Sequence, residues 1–116
     1  MIEITIAPGR IAAMGHADDG AGCAAVSALL YALAGGLENI GGSPSWFVQD
    51  GEAEIEIGSG AQAQAMRLMA EVGLRQIAAA REDIRIVEQS ALRRDGVHAA
   101  AGALRRDDSP CAGVVS

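Results

Sequence analysis

The chain contains no lysine. All nine of its basic residues are arginine, and against fifteen acidic residues they leave a formal charge of −6 over 116 residues. A nucleic-acid surface needs a basic patch to neutralise phosphates, so this balance argues against nucleic acid as a direct ligand. Aromatic residues are scarce too: Tyr31, Trp46 and Phe47 are the whole set, so the core has to be aliphatic. Two cysteines, Cys23 and Cys111, and two histidines, His16 and His98, lie far apart in sequence. That is a poor zinc set, and no metal or cofactor is expected. Cys111 falls in a polar C-terminal stretch, and both thiols are expected to be free. The first six residues, Met1-Ile2-Glu3-Ile4-Thr5-Ile6, lack the basic start and continuous apolar stretch of a signal peptide. No apolar run is read as approaching the roughly 18 residues of a membrane span, so a cytoplasmic protein with no membrane contact is expected.

What is present fits one small domain, since half of the residues are apolar and the length leaves no room for a second core. Residues 2–7 alternate apolar and polar side chains, Pro8-Gly9-Arg10 reads as a turn, and 11–17 reads as a second strand, giving a hairpin. From Cys23 onward Val26, Leu29, Leu30, Leu33 and Leu37 recur at helical spacing, and glycines at 35, 36, 41 and 42 weaken and then end the helix. On the adjoining face Cys23, Ser27 and Tyr31 line up one turn apart.

Residues 46–48 and 53–57, joined through Asp50-Gly51, predict a second hairpin, with Glu52, Glu54 and Glu56 on one solvated face. Residues 61–81 predict a helix whose apolar face holds Ala65, Met66, Leu68, Met69, Val72 and Ile77, and 84–87 a fifth strand. The expectation is an α/β domain of the α+β type over residues 1–89, ordered hairpin, helix, hairpin, helix, strand. Residues 90–116 lack sustained periodicity and are expected to form a mobile tail in which His98 and Cys111 are incidental.

The chemistry concentrates in Gly15-His16-Ala17-Asp18-Asp19-Gly20-Ala21-Gly22-Cys23. A thiol at a helix start and an imidazole at a strand end are the two groups a cysteine nucleophile needs. Helix N-termini favour thiolate over thiol, and the base takes the proton. Backbone N–H groups in that first turn can also stabilise an oxyanion. Gly20 and Gly22 leave room for a peptide backbone, and the loop 17–22 is expected to be mobile until a peptide binds.

Gly15-His16-Ala17, a Gly-rich loop and then Cys23-Ala24-Ala25-Val26-Ser27-Ala28-Leu29 resemble the ribosomal-processing cysteine protease family called Prp. The order of elements over residues 1–89 is similar as well. The resemblance implies a small homodimeric cysteine protease that trims the N-terminal extension of the twenty-seventh protein of the large ribosomal subunit, phage relatives acting on virion proteins. It implies Cys23 as nucleophile and His16 as general base, with Gly15, Ala17 and Ser27 in binding or positioning roles, and Gly22 joins them as a glycine that lets a peptide backbone approach. One departure stands out: family members have a longer loop, often with Asp-Ile-Val before the cysteine, where this chain has Gly20-Ala21-Gly22. Asp18 and Asp19 are the candidates to replace the missing carboxylate.

Two other readings stay open. A domain of this fold that has lost activity with its loop carboxylate would be a peptide-binding module. Gly20-Ala21-Gly22-Cys23-Ala24-Ala25 also satisfies the degenerate dinucleotide pattern G-x-G-x-x-A, with Asp50 after it, although paired hairpins do not build a doubly wound sheet. The acidic balance, twelve Asp or Glu against five Arg over residues 1–89, favours a basic peptide as substrate.

Overall fold

The computed structural model describes residues 1–89, and the expectations for 90–116, including His98 and Cys111, lie outside the described residues. Alternation in the first segment produces β1 (Ile2–Ala7), which turns at Pro8-Gly9 into the antiparallel β2 (Arg10–Gly15). β2 stops at Gly15, two residues short of the expected end, so His16 and Ala17 leave the sheet. The reason is steric. Gly15 has φ +105°, and a Cβ there would lie 2.2 Å from the Met1 carbonyl oxygen.

Helix α1 (Gly20–Asn39) follows, then β3 (Trp46–Gln49), β4 (Glu52–Glu56), α2 (Ala61–Ala80) and β5 (Ile84–Glu88). The five strands form one mixed sheet in the order β3-β4-β2-β1-β5, all antiparallel except β1 with β5. This is a small α+β domain. The first two strands pair as an antiparallel hairpin, not through a helical crossover, which removes the dinucleotide-binding reading.

Register partners share a sheet face, and the pairs Ile2↔Ile84, Ile4↔Ala13, Ile6↔Ile11, Ile11↔Ile55 and Ala13↔Ala53 tile one continuous aliphatic surface. Val26, Leu30, Leu33 and Leu37 of α1 and Ala70 and Leu74 of α2 are buried with it in one core. Leu30, Ile4 and Leu74 are completely shielded from solvent, each contributing roughly 1.5–3 kcal/mol of apolar burial.

α1 begins at Gly20, three residues before the expected start, because Asp19 caps it with its side chain on the Gly22 N–H. It runs through Gly35 and Gly36 and closes with Gly42 N–H on the Leu37 carbonyl. Counted from Gly20, α1 is long and apolar enough to cross a membrane, contrary to the expectation that no segment is. Its buried residues pack instead on the sheet.

The buried residues of α2 are Ala70 and Leu74; of the wider stripe expected, Met66 and Ile77 pack half-buried against the core while Ala65 is exposed. Leu68, Met69 and Val72 are exposed, Met69 at 71%. They turn outward because the side meeting α1 is occupied at close quarters: a Cβ on Gly73 would lie 2.9 Å from Leu29, and Met66 lies over Gly36. The acidic face of β4 is also corrected, since Glu52 and Glu54 are only 4% and 8% exposed and Glu56 alone is open to solvent. β4 lies inside the sheet, where Glu54 sits between register partners Ala12 and Phe47 and forms an ion pair with Arg10 at 3.5 Å.

Candidate functional site

One end of the sheet gathers the residues singled out by sequence. β2 ends there at Gly15, β1 begins at Ile2, and α1 rises from Gly20. The turn between β3 and β4 arrives with the Gly51 carbonyl accepting from the Gly15 N–H at 3.0 Å. The link from α2 to β5 arrives with the Asp83 carbonyl accepting from the Ile2 N–H at 2.8 Å.

Cys23 is a free thiol, 5% exposed, at the fourth residue of α1 and not in its opening position. Its own N–H bonds the Asp19 carbonyl at 3.5 Å, and the Gly22 N–H is held by the Asp19 carboxylate at 3.0 Å. The first-turn donors without intrahelical acceptors are therefore those of Gly20 and Ala21. The sulfur is met from the loop side: the Ala17 N–H points at Cys23 Sγ at 3.4 Å. Sulfur is a weak acceptor, and this N–H is the contact that ties the loop to the thiol.

His16, next in chain to that donor, is half-buried, and its Nε2 is buried with no hydrogen-bond partner among the described residues. The structure thus brings loop and thiol together without a direct His16 to Cys23 hydrogen bond. In unliganded sites a base and nucleophile often sit apart and tighten around substrate. Ser27, one turn beyond Cys23, is fully buried, and its Oγ has no partner among the described residues, so the backbone bond a mid-helix serine usually makes is missing.

Neither candidate loop carboxylate makes a hydrogen bond to His16. Asp19 is the N-cap of α1, and its carboxyl is held below the ordinary 3.8 first by the Gly22 N–H and then by Arg81. Asp18 contributes its backbone, donating its N–H to Asp83 at 2.6 Å. Arg81 Nε and Nη2 grip both oxygens of Asp83 at 2.8 and 2.9 Å, and Nη2 also reaches Asp19 at 2.9 Å. The Arg81 guanidinium and the Asp18 N–H together hold the Asp83 carboxyl far below its usual range, and Asp83 in turn raises Arg81 further. The expected mobile loop is consequently tied at both aspartates, and Gly20, Ala21 and Gly22 are helical.

Gly22 earns its place by close approach. A Cβ there would lie 2.6 Å from Ala17 Cβ and 3.0 Å from Arg81 Cζ. Arg81 and Asp83 were not singled out from sequence; they lie about sixty residues beyond the loop and carry no local motif. Among the described residues no cluster of His, Cys, Asp and Glu could hold a metal ion. A groove lined by Leu37, Ile40, Pro44, Ile57 and Ala63 lies at the opposite end of the sheet.

No protein-family model matches the chain, and no curated protein matches it. Solved structures do. One is an essential ribosomal processing protease, Prp, from S. aureus, in complex with a covalently linked product peptide. It has a TM-score of 0.69 and 24% identity, covering 77% of this chain and 100% of that one. Another is a hypothetical protein from Staphylococcus aureus, with a TM-score of 0.64, 19% identity and the same coverage of both chains. The chain has the fold of these proteins.

Proposed function

We propose that the chain is a cysteine endopeptidase that removes a short N-terminal extension from a basic precursor, a large-subunit ribosomal protein or a phage virion protein. The observation that carries the reading is the meeting of the His16 loop with the Cys23 sulfur at the N-terminal turn of α1. The neighbour of the same fold with a covalently linked product peptide supports it.

In this reading His16 takes the thiol proton and Cys23 Sγ attacks the scissile carbonyl carbon. The carbonyl oxygen becomes an oxyanion within reach of the free first-turn N–H groups. Collapse of this intermediate breaks the C–N bond, and His16 returns the proton to the departing amine. Water, deprotonated by His16, then hydrolyses the thioester, restoring the thiol and releasing the new carboxylate. No cofactor takes part. Gly15 and Ala17 fix the histidine, Gly22 lets the loop close on the helix, and Ser27 positions the cysteine from one turn below. The reading includes a cytoplasmic homodimer.

A peptide-binding module without activity is the second reading, favoured by the burial of Cys23 and by the lack of a carboxylate bonded to His16 among the described residues. Incubating the full chain with an N-terminal precursor peptide of the ribosomal protein, and comparing it with Cys23→Ala by mass spectrometry, separates them. Cleavage by the parent chain alone supports the protease; an uncleaved peptide that still binds supports the module.

A further inference from the structure

We propose that Arg81 and Asp83 are positioning residues, a clamp from the link between α2 and β5 that fixes the loop 16–19 so that its Ala17 N–H stays on the Cys23 sulfur. This rests on the reading of Cys23 as nucleophile, and it adds two residues that lie outside the sequence motif.

The geometry runs in one chain of contacts. α2 ends at Ala80, and Arg81 turns extended, with φ −138° and ψ 147°. Glu82 and Asp83 then bend before β5, and at this bend the Arg81 guanidinium meets the Asp83 carboxylate. Asp83 is anchored behind by its carbonyl, which accepts the Ile2 N–H at the edge of the β1 and β5 ladder. Asp83 is 7% exposed, and its carboxylate accepts three bonds, two from Arg81 and one from the Asp18 backbone. Arg81 extends the same guanidinium to Asp19, the residue that caps α1. The loop is therefore held at consecutive residues by a group fixed to the sheet, and the residue before them is the one whose N–H meets the thiol.

Each part has the chemistry this role needs. A buried carboxylate requires a charged partner with matching geometry, and a guanidinium bonds both oxygens of one carboxylate while reaching another; a lysine ammonium is a point charge without that fork. Gly22 removes the Cβ that would collide with Ala17 and Arg81, so loop, helix turn and clamp close to contact. Ion pairs elsewhere, such as Arg75 with Glu71 and Arg85 with Glu3, lie along helix or strand surfaces and touch no part of the loop.

The test compares Arg81→Gln, Arg81→Lys and Asp83→Asn with the parent full chain by three measurements: amide exchange at Ala17 and Asp18, alkylation of Cys23 by iodoacetamide from pH 6 to 9, and melting temperature. Expected are faster exchange at both amides and alkylation near neutral pH slowed by about tenfold, the size of a lost bond to a charged group. Arg81→Lys should recover part of the alkylation rate. A double variant of Arg81→Gln with Asp83→Asn should lose little more than either alone. The proposal is overturned if exchange at Asp18 is unchanged, or if exchange rises while Cys23 alkylates at the parent rate at every pH, since the clamp then serves stability alone. Should Arg81→Gln not fold, Asp83→Asn, which keeps the shape of the side chain, decides by the same criteria. Amide exchange needs no cleavage, so a parent chain that cleaves nothing would sink the protease reading and leave this test readable.

Discussion

Asp83 is the residue whose ionisation most directly reports the site. Its carboxyl titrates below the ordinary 3.8 because Arg81 and the Asp18 N–H bond the charged form. A carboxyl with a depressed folded value contributes stability that is complete above its unfolded pKa and is lost as pH falls through the folded one. The clamp should thus stay closed from neutral pH down to about 4, the ordinary carboxyl value, and open only in stronger acid. Following side-chain carboxyl carbons by NMR should show Asp83 still ionised at a pH where exposed aspartates are half protonated; titration alongside them would contradict the bonding described. At Gly15, alanine should destabilise the domain by about 1–3 kcal/mol for the positive φ alone, and by more through the collision with the Met1 carbonyl. Urea unfolding of Gly15→Ala measures it, and a loss below that range would mean that the strand end can rearrange.

Among the elements, the regular ones were legible because their periods are local. Alternation in β1 and the recurrence of Val26, Leu30, Leu33 and Leu37 are written within a few residues, and the structure follows them. The start of α1 is not legible in the sequence because Gly20 and Gly22 have poor helix propensity, and the turn is helical with the Asp19 cap on it and Arg81 behind that cap. The buried acids of β4 were illegible for a different reason: alternation tells which residues share a face but not what lies across it. Arg81 and Asp83 are beyond local reading because their partners arrive by tertiary folding. Leu68, Met69 and Val72 form an exposed apolar strip on α2, the surface that the proposed homodimer would bury. Sedimentation of Met69→Asp at tens of micromolar should give monomer where the parent chain gives dimer, and a parent chain that is already monomeric would remove the dimer.

At the scale of the whole molecule the charge is the reading's second support. Residues 1–89 carry a formal −7, although burial of Glu52 and Glu54 removes the acidic strand face first read from the sequence. The field that remains comes from groups spread over the surface, and such a field would steer the proposed basic peptide more than it would bind it. Screening over about 8 Å at physiological ionic strength predicts that kcat/KM for a basic peptide falls with added salt while kcat holds; a flat profile would mean the acids serve solubility alone. The central claim is that Cys23 attacks a peptide carbonyl, and its covalent trace tests that most directly. Rapid acid quench of the full chain with an activated ester of a basic peptide, followed by mapping of the modified residue by mass spectrometry, should find the acyl group on Cys23 and none in Cys23→Ala. Turnover with no adduct on Cys23, or with equal rates in both proteins, would contradict the account.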